Sequence, residues 1–341
     1  MANKALIFFE KGVKFRVLAL LVVLFSNVFL WLVPGNEGRF VHVLFCHQSV
    51  HEVRRGDGES KYKVLRAIPR CYVPKTVFVH APISSDGLMA LLQKEELPFP
   101  IIIKPDVGER GRDVELIHSR SELHEYLKTR NFDLIVQQYI PDGMEFGILY
   151  HKVPGNKKGK VTSIVRKGFL TVTGDGKSTL RELINREIRA AKRAQYLHVK
   201  HRSHIDSVPS MGSKTVLEPI GNHSRGTTFL NANDMINSEI NRVFDRIASQ
   251  IEGYYYGRFD LKVPSEEDLY CGKNIKIFEL NGVSSEVAHV YDPDYKLGAA
   301  YRDIARHMRY IFLIGTENHA RGVRYDSLCK FLRDLWAHLR K

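Results

Sequence analysis

Hydrophobic and polar positions divide the chain into three stretches. Residues 17–33 form an apolar run broken only by Ser26 and Asn27. From residue 57 onward, short apolar segments alternate with segments whose apolar positions repeat every three or four residues. That is the pattern of an α/β or α+β domain. In the last stretch Leu328, Phe331, Leu332, Leu335 and Leu339 fall on one face of a helix predicted over residues 325–341, with lysines and arginines opposite.

The middle stretch resolves into elements. Residues 100–104 predict a buried strand, 106–112 a glycine-bearing loop and 113–118 an alternating strand. Ser119 and Glu122 have capping-box spacing and open a helix to about Thr129. Strands are predicted over 133–139 and 145–153, around the turn Pro141-Asp142-Gly143, and over 160–169, 214–220, 255–263 and 274–280. Gly174-Asp175-Gly176 is a tight turn before a long basic helix from near Ser178, exposed at its far end through Arg186, Arg189, Lys192 and Arg193. Helices are predicted over 237–251 and 297–312.

Composition narrows the class. A length of 341 residues, 44% hydrophobic and 10% aromatic, suits a folded protein with a sizeable core and excludes a disordered one. The net charge of +13 suits an anionic partner without choosing one. The basic run over residues 186–202 has only Tyr196 to stack on a base, so no nucleic acid is expected. His198, His201 and His204 lie three apart but have no HExxH context, and they read as part of a solvated segment. Cys46, Cys71, Cys271 and Cys329 form no CxxC pair; reduced, mostly buried thiols of a cytoplasmic protein are expected.

The apolar run over residues 17–33 follows Lys4, Lys11, Lys14 and Arg16 and ends at Pro34-Gly35. Its length is at the lower limit of a membrane span, and no small-residue cleavage site follows it. Membrane contact is expected, with a buried helix as the alternative. The body is expected in the cytoplasm, at the inner face of the membrane.

Three short stretches carry chemistry. In Lys104-Pro105-Asp106-Val107-Gly108-Glu109-Arg110-Gly111, a lysine ends a buried strand and glycines follow that let backbone N–H groups approach phosphates. The spacing is not that of a P-loop. In Gly257-Arg258-Phe259-Asp260-Leu261, Arg258 and Asp260 are two apart on a strand and share a face. In Phe278-Glu279-Leu280-Asn281, Glu279 and Asn281 share a face in the same way. If those strands are neighbours, Asp260, Glu279 and Asn281 converge as oxygen ligands suited to Mg²⁺, beside Arg258.

The order of these motifs resembles the ATP-grasp superfamily over roughly residues 57–315. Within it the likeness is to D-alanine–D-alanine ligases and to bacterial membrane-linked ATP-grasp proteins. Gly174-Asp175-Gly176-Lys177-Ser178-Thr179-Leu180 and Gly221-Asn222-His223-Ser224-Arg225-Gly226 resemble segments of the cyanophycin synthetase ATP-grasp domain. The resemblance implies an α+β ATP-grasp fold, two α/β subdomains gripping ATP, over residues 96–315. Before it come a hydrophobic helical segment (1–35) and a reduced N-terminal region (36–95); after it comes a C-terminal amphipathic helix (316–341).

The resemblance also implies roles. Lys104 and the earlier Lys61, with Lys63 as its rival, contact phosphates. Gly108 and Gly111 belong to the loop over the triphosphate. Gln137, Gln138, Tyr139 and Ile140 read adenine, largely through backbone, and Glu145 holds the ribose. Asp260, Glu279 and Asn281 bind Mg²⁺, with Mn²⁺ as a substitute ion, and Arg258 is catalytic. Lys167, Asn222, Ser224, Arg225 and Glu286 are candidate substrate contacts.

Two positions depart from the family pattern: Gln137 stands where many members have an acid, and Gly282-Val283-Ser284-Ser285-Glu286 replaces a Ser-Pro-Gly-type loop. The implied activity is ADP-forming carboxylate–amine ligation through an acyl phosphate, on small amino-acid or peptide-like carboxylates and amines. Phosphotransfer without ligation and a membrane-tethered ATP-binding protein without turnover stay open as alternatives.

Overall fold

Residues 60–108, 111–283 and 285–323 are described by a computed structural model of the chain. The apolar run at 17–33, the tail helix at 325–341, and Cys46 and Cys329 lie outside the described residues. Among the described residues no helix is long and apolar enough to cross a membrane.

The alternating segments build a mixed α/β molecule whose sheets are antiparallel. A four-stranded sheet has the order β1-β4-β2-β3, from β1 (Thr76–Val79), β2 (Ile101–Pro105), β3 (Glu115–Ile117) and β4 (Leu134–Gln138). Helix α1 (Lys61–Ala67) precedes this sheet. Helices α2 (Ser85–Lys94) and α3 (Arg120–Leu127) cover one face of it. Their Leu88, Leu92, Leu123 and Tyr126 meet Ile101, Ile103 and Val136 in its core. Ser119 caps α3 at the Glu122 amide, but the Glu122 carboxylate reaches back to the His118 amide, one residue beyond the reciprocal capping-box bond.

The second sheet has five strands in the order β11-β10-β5-β6-β9. They are β5 (Met144–His151), β6 (Lys160–Gly168), β9 (Thr228–Asn231), β10 (Tyr256–Val263) and β11 (Lys276–Asn281). One face packs Phe146, Ile148, Ile164, Phe259 and Leu261 against α1 and helix α7 (Ser238–Ala248). The other face is divided. At one end it carries Leu149 and Tyr256 beneath the long helix α9 (Leu297–Ala320). At the other end it carries the charged residues described below. Period-two alternation is therefore kept in residue type although both faces are covered.

Between β6 and β9 the chain leaves the sheet. A two-stranded ribbon of β7 (Leu170–Thr173) and β8 (Lys214–Glu218) carries α4 (Leu180–Arg186), α5 (Ile188–Ala191) and α6 (Ala194–Lys200) with its own small core. Helix α8 (Glu266–Cys271) joins β10 to β11.

Several expectations are corrected. The single helix from Ser178 is three short ones. Glu187 is extended at ψ 118 and caps the Arg189 amide, which breaks the run. Arg189 and Arg193 are half-buried rather than exposed: Arg189 donates to Thr228 Oγ1 at 2.6 Å, and Arg193 turns toward Glu218. Helix α9 continues past Phe312 to Ala320 because its buried face, through Ile311, Ile314, Gly315 and Asn318, continues with it. Cys71 and Cys271 are free thiols, as expected, but both are exposed because they sit on short surface helical turns.

Candidate active site

Strand register creates the cluster. Arg258 pairs with Asn281 and Asp260 with Glu279 across β10 and β11. On the other side of β10, Asp260 lies opposite Gly147 of β5. A side chain at position 147 would collide there: a Cβ would stand 2.8 Å from Val165 and 3.1 Å from both Arg258 Cδ and Asp260 Oδ1. The bare backbone leaves that space to Arg258 and Asp260.

Lys167 completes the face from β6. Its ammonium lies 2.9 Å from Glu145 Oε1 and 3.3 Å from Asp260 Oδ1, with all three side chains at 5% exposure or less. Burial alone would lower the pKa of Lys167, but Asp260 and Glu145 outweigh it and hold the pKa above the ordinary lysine value. Its neighbour Arg166 points to the opposite face, pairs with Glu266 and lies over the Phe146 ring. Only one of two adjacent strand residues can face the cleft.

Asp260 is gripped from several directions. Arg258 Nη2 is 3.1 Å and Asn281 Nδ2 is 2.9 Å from Oδ2, while Arg258 Nε and Lys167 approach Oδ1. Burial pushes its pKa up, but Arg258 and Lys167 reverse this and hold the carboxyl below its usual value. Glu279 is different. Among the described residues its carboxylate accepts no hydrogen bond and joins no ion pair, and it attracts the Lys104 ammonium.

Lys104 crosses from the small sheet to the large one. Its ammonium donates to the Phe278 carbonyl at 3.0 Å and to Gln137 Oε1 at 3.3 Å. Burial lowers its pKa to about 8, opposed by Glu279. The cluster thus lies at the seam between the two sheets. Lys61, at the start of α1, donates to the Gly108 carbonyl and is close enough to Lys104 to lower its pKa.

The glycine loop meets the segment after β8. Gly111 has φ +69°, and a Cβ there would stand 2.8 Å from Asn222 Nδ2. Glycine suits both the left-handed backbone and the contact. Arg225 Nη2 donates to the carbonyls of Gly111 at 2.8 Å and Val114 at 2.6 Å. Arg225 is held in turn by fully buried Glu218 at 3.6 Å and by Glu115 at 3.7 Å. Asn222 and Ser224 form a local turn, with both the amide and the hydroxyl of Ser224 on Asn222 Oδ1 at 2.8 Å.

The remaining candidates divide. Gln137 is buried and bonded to Thr76 and Lys104. The Gln138 side chain is exposed on the far side of the strand. Tyr139 and Ile140 are half-buried, and the Ile140 carbonyl accepts from Lys262 Nζ at 2.7 Å. Glu286 is exposed, and its carbonyl accepts from Arg258 Nη1 at 3.3 Å. Lys262 is absent from the sequence-derived set. It is buried, shares a face with Arg258 and Asp260, and lies 5.3 and 5.5 Å from the rings of Tyr139 and Phe169. Its period-two spacing from Arg258 was the available signal.

Among the described residues no group of three or more His, Cys, Asp or Glu side chains is arranged to hold a metal. Mg²⁺ needs fewer, usually one or two carboxylates with phosphate and water. The unpaired Glu279 carboxylate and the Asn281 amide oxygen fit that requirement. Asp260, held by Arg258, Lys167 and Asn281, lies beside them. The expectation of a solvated histidine segment is corrected in part: His204 is exposed, but His201 is buried because it packs on β8, contacting His204 at 3.3 Å and the Leu217 carbonyl at 3.0 Å.

No protein-family model and no curated protein matches the chain. The chain is similar to solved structures of ligases and synthetases. They include a bifunctional glutathione synthetase from Pasteurella multocida, at 14% identity over 75% of this chain and 38% of that one, TM-score 0.37. A D-Ala:D-Ser ligase from Enterococcus faecalis has 14% identity over 79% and 62%, TM-score 0.41. A D-alanine–D-alanine ligase from Bacillus anthracis has 13% identity over 77% and 69%, TM-score 0.42. The chain spans less than two thirds of the length of the first two.

Proposed function

We propose that the chain is an ATP-dependent, ADP-forming carboxylate–amine ligase. The observation that carries this reading is the meeting of Lys104, Lys167, Arg258, Asp260, Glu279 and Asn281 at the seam of two sheets. Such a seam offers cations to a triphosphate and leaves one carboxylate, Glu279, without a hydrogen-bond or ion-pair partner among the described residues.

In this reading Lys61 and Lys104 neutralise the phosphates under the loop of Gly108 and Gly111. Tyr139 and Ile140 border the base, with Gln137 and Gln138 on the same strand, and Glu145 faces the ribose. Asp260, Glu279 and Asn281 would hold Mg²⁺ or Mn²⁺, which supplies charge neutralisation at phosphate oxygens. A substrate carboxylate oxygen attacks the γ-phosphorus, the bond to the β-bridging oxygen breaks, and ADP leaves. Lys167 and Arg258 turn N–H groups from Asp260 toward the transferring group. An amine nitrogen then attacks the acyl carbon, Arg258 holds the oxyanion, and phosphate departs with the C–O electron pair as the amine loses a proton. Exposed Glu286 borders the side from which the amine enters. Arg225 and Asn222 act on the glycine loop, and Ser224 shapes their turn. The body works at the inner face of the membrane, held there by residues 17–33.

The test is an ADP-release screen over paired amino acids, hydroxy acids and small peptides, with Glu279→Gln as blank. ADP, phosphate and an amide from one pair, absent in the blank, is the expected result. Equal release by the blank rejects the metal assignment, and a stable phosphorylated product rejects ligation.

A further inference from the structure

The cationic face does not end at Lys167. The next strand, β9, is the edge of the sheet, and its Phe229 lies directly opposite Lys167. Opposite residues of an antiparallel pair share a face with Cβ atoms about 4.5–5.5 Å apart. Phe229 therefore borders the charged cluster at one side-chain distance. Two more rings join it from separate segments: His223, in the turn after β8, and Tyr291, at the end of the short helix Ala288–Tyr291. Ring centroids are 5.2 Å apart for His223 and Phe229, 5.5 Å for His223 and Tyr291, and 6.5 Å for Phe229 and Tyr291.

All three residues are half-buried, so the wall keeps some accessible surface. It is also fixed in place: the Asn231 amide of β9 donates to Asp292 Oδ2 at 2.7 Å, which ties the edge strand to the segment bearing Tyr291. A core would cover these rings, and a purely solvated edge strand would carry charge instead. A wall of mutually tilted rings beside Lys167 is suited to one kind of substrate.

We infer that the rings of Phe229, His223 and Tyr291 bind an aromatic side group of the carboxylate substrate, placing its carboxylate toward Lys167 and Arg258. The inference rests on the proposed ligase reading for the role of that carboxylate, and it excludes substrates as small as alanine as the preferred donor. Stacking on fixed rings adds affinity beyond the buried area.

The experiment is calorimetric titration of the full-length chain with phenylalanine and with alanine, both enantiomers of each, with and without Mg²⁺ and a non-hydrolysable ATP analogue. Phenylalanine of one hand is expected to bind at least about tenfold more tightly than alanine. Phe229→Ala should reduce that preference to less than about threefold and leave the affinity for the analogue unchanged. Phe229→Leu serves as a second variant if the alanine variant does not fold, and should keep an intermediate preference. Equal affinity for the two acids, no binding of either, or an unchanged preference in both variants overturns the inference. Failure of the analogue to bind while the aromatic preference persists rejects the MgATP reading alone.

Discussion

Burial lowers the pKa of Lys104 to about 8, so its charge changes just above neutral pH. Between that value and the ordinary lysine range the unfolded chain holds more protons than the folded one, so folding stability rises with pH there. Nucleotide affinity should do the opposite, because the ammonium is lost. We predict that ATP-analogue affinity is level from pH 6 to 7.5 and declines as pH rises through about 8. Lys104→Arg should flatten that decline; a wild-type profile that stays level to pH 9.5 contradicts it. Gly147 acts by having no side chain. Gly147→Val should destabilise the fold by about 1–3 kcal/mol through overpacking against Val165, Arg258 and Asp260. Unchanged thermal unfolding in that variant would show that the space was not needed.

Loops and strands decide how these residues meet. Arg225 joins the glycine loop to the segment after β8 through carbonyls 114 and 111 positions away in the chain. Arg225→Met should cost about 2–4 kcal/mol, because it strips one of the cations from buried Glu218. It should also speed amide exchange over residues 111–114; exchange at the wild-type rate would mean the loop is held by other contacts. This latch also shows where sequence reading ends. Period-two spacing revealed that Arg258 and Asp260 share a face, as do Glu279 and Asn281, since alternation is a local property of a strand. It could not reveal that Lys104 reaches Phe278, or what Arg225 holds, because those contacts depend on how distant segments fold together. The same spacing extended to Lys262, where a lysine at a strand end is easily taken for edge protection. The break at Glu187 escaped because the apolar period runs through it, and β1 escaped because its partner β4 is fixed only by topology. Adjacent Arg166 and Lys167 are alike in charge, and only the pleat separates them.

Across the whole molecule, the large sheet carries charge at one end of its cleft face and neutral histidines at the other. His307 bonds Tyr256 at 3.0 Å, and His289 lies between Ser163 at 2.7 Å and Asp303 at 3.2 Å beneath α9. Burial pushes His307 down to about 3 and His151 down to about 4. Below the unfolded value near 6.5 the unfolded chain binds more protons, so this stability is lost as pH falls from there toward about 4 and below. At pH 5 the loss should reach about 2 kcal/mol for each of the two histidines. Urea unfolding at pH 7 and pH 5 checks this, and His307→Leu should show a smaller difference between the two than the wild type. The active end makes the larger claim, that the two sheets close on a metal–nucleotide complex. Glu279 tests it most cleanly, because its carboxylate has no protein partner among the described residues and its replacement should leave the fold alone. The measurement is equilibrium binding of an ATP analogue, with and without Mg²⁺, to the wild type and to Glu279→Gln. Mg²⁺ is expected to tighten wild-type binding by at least about tenfold and the variant by less than about threefold, at equal thermal stability. Binding that is indifferent to Mg²⁺ in the wild type, or equally enhanced in the variant, would contradict it.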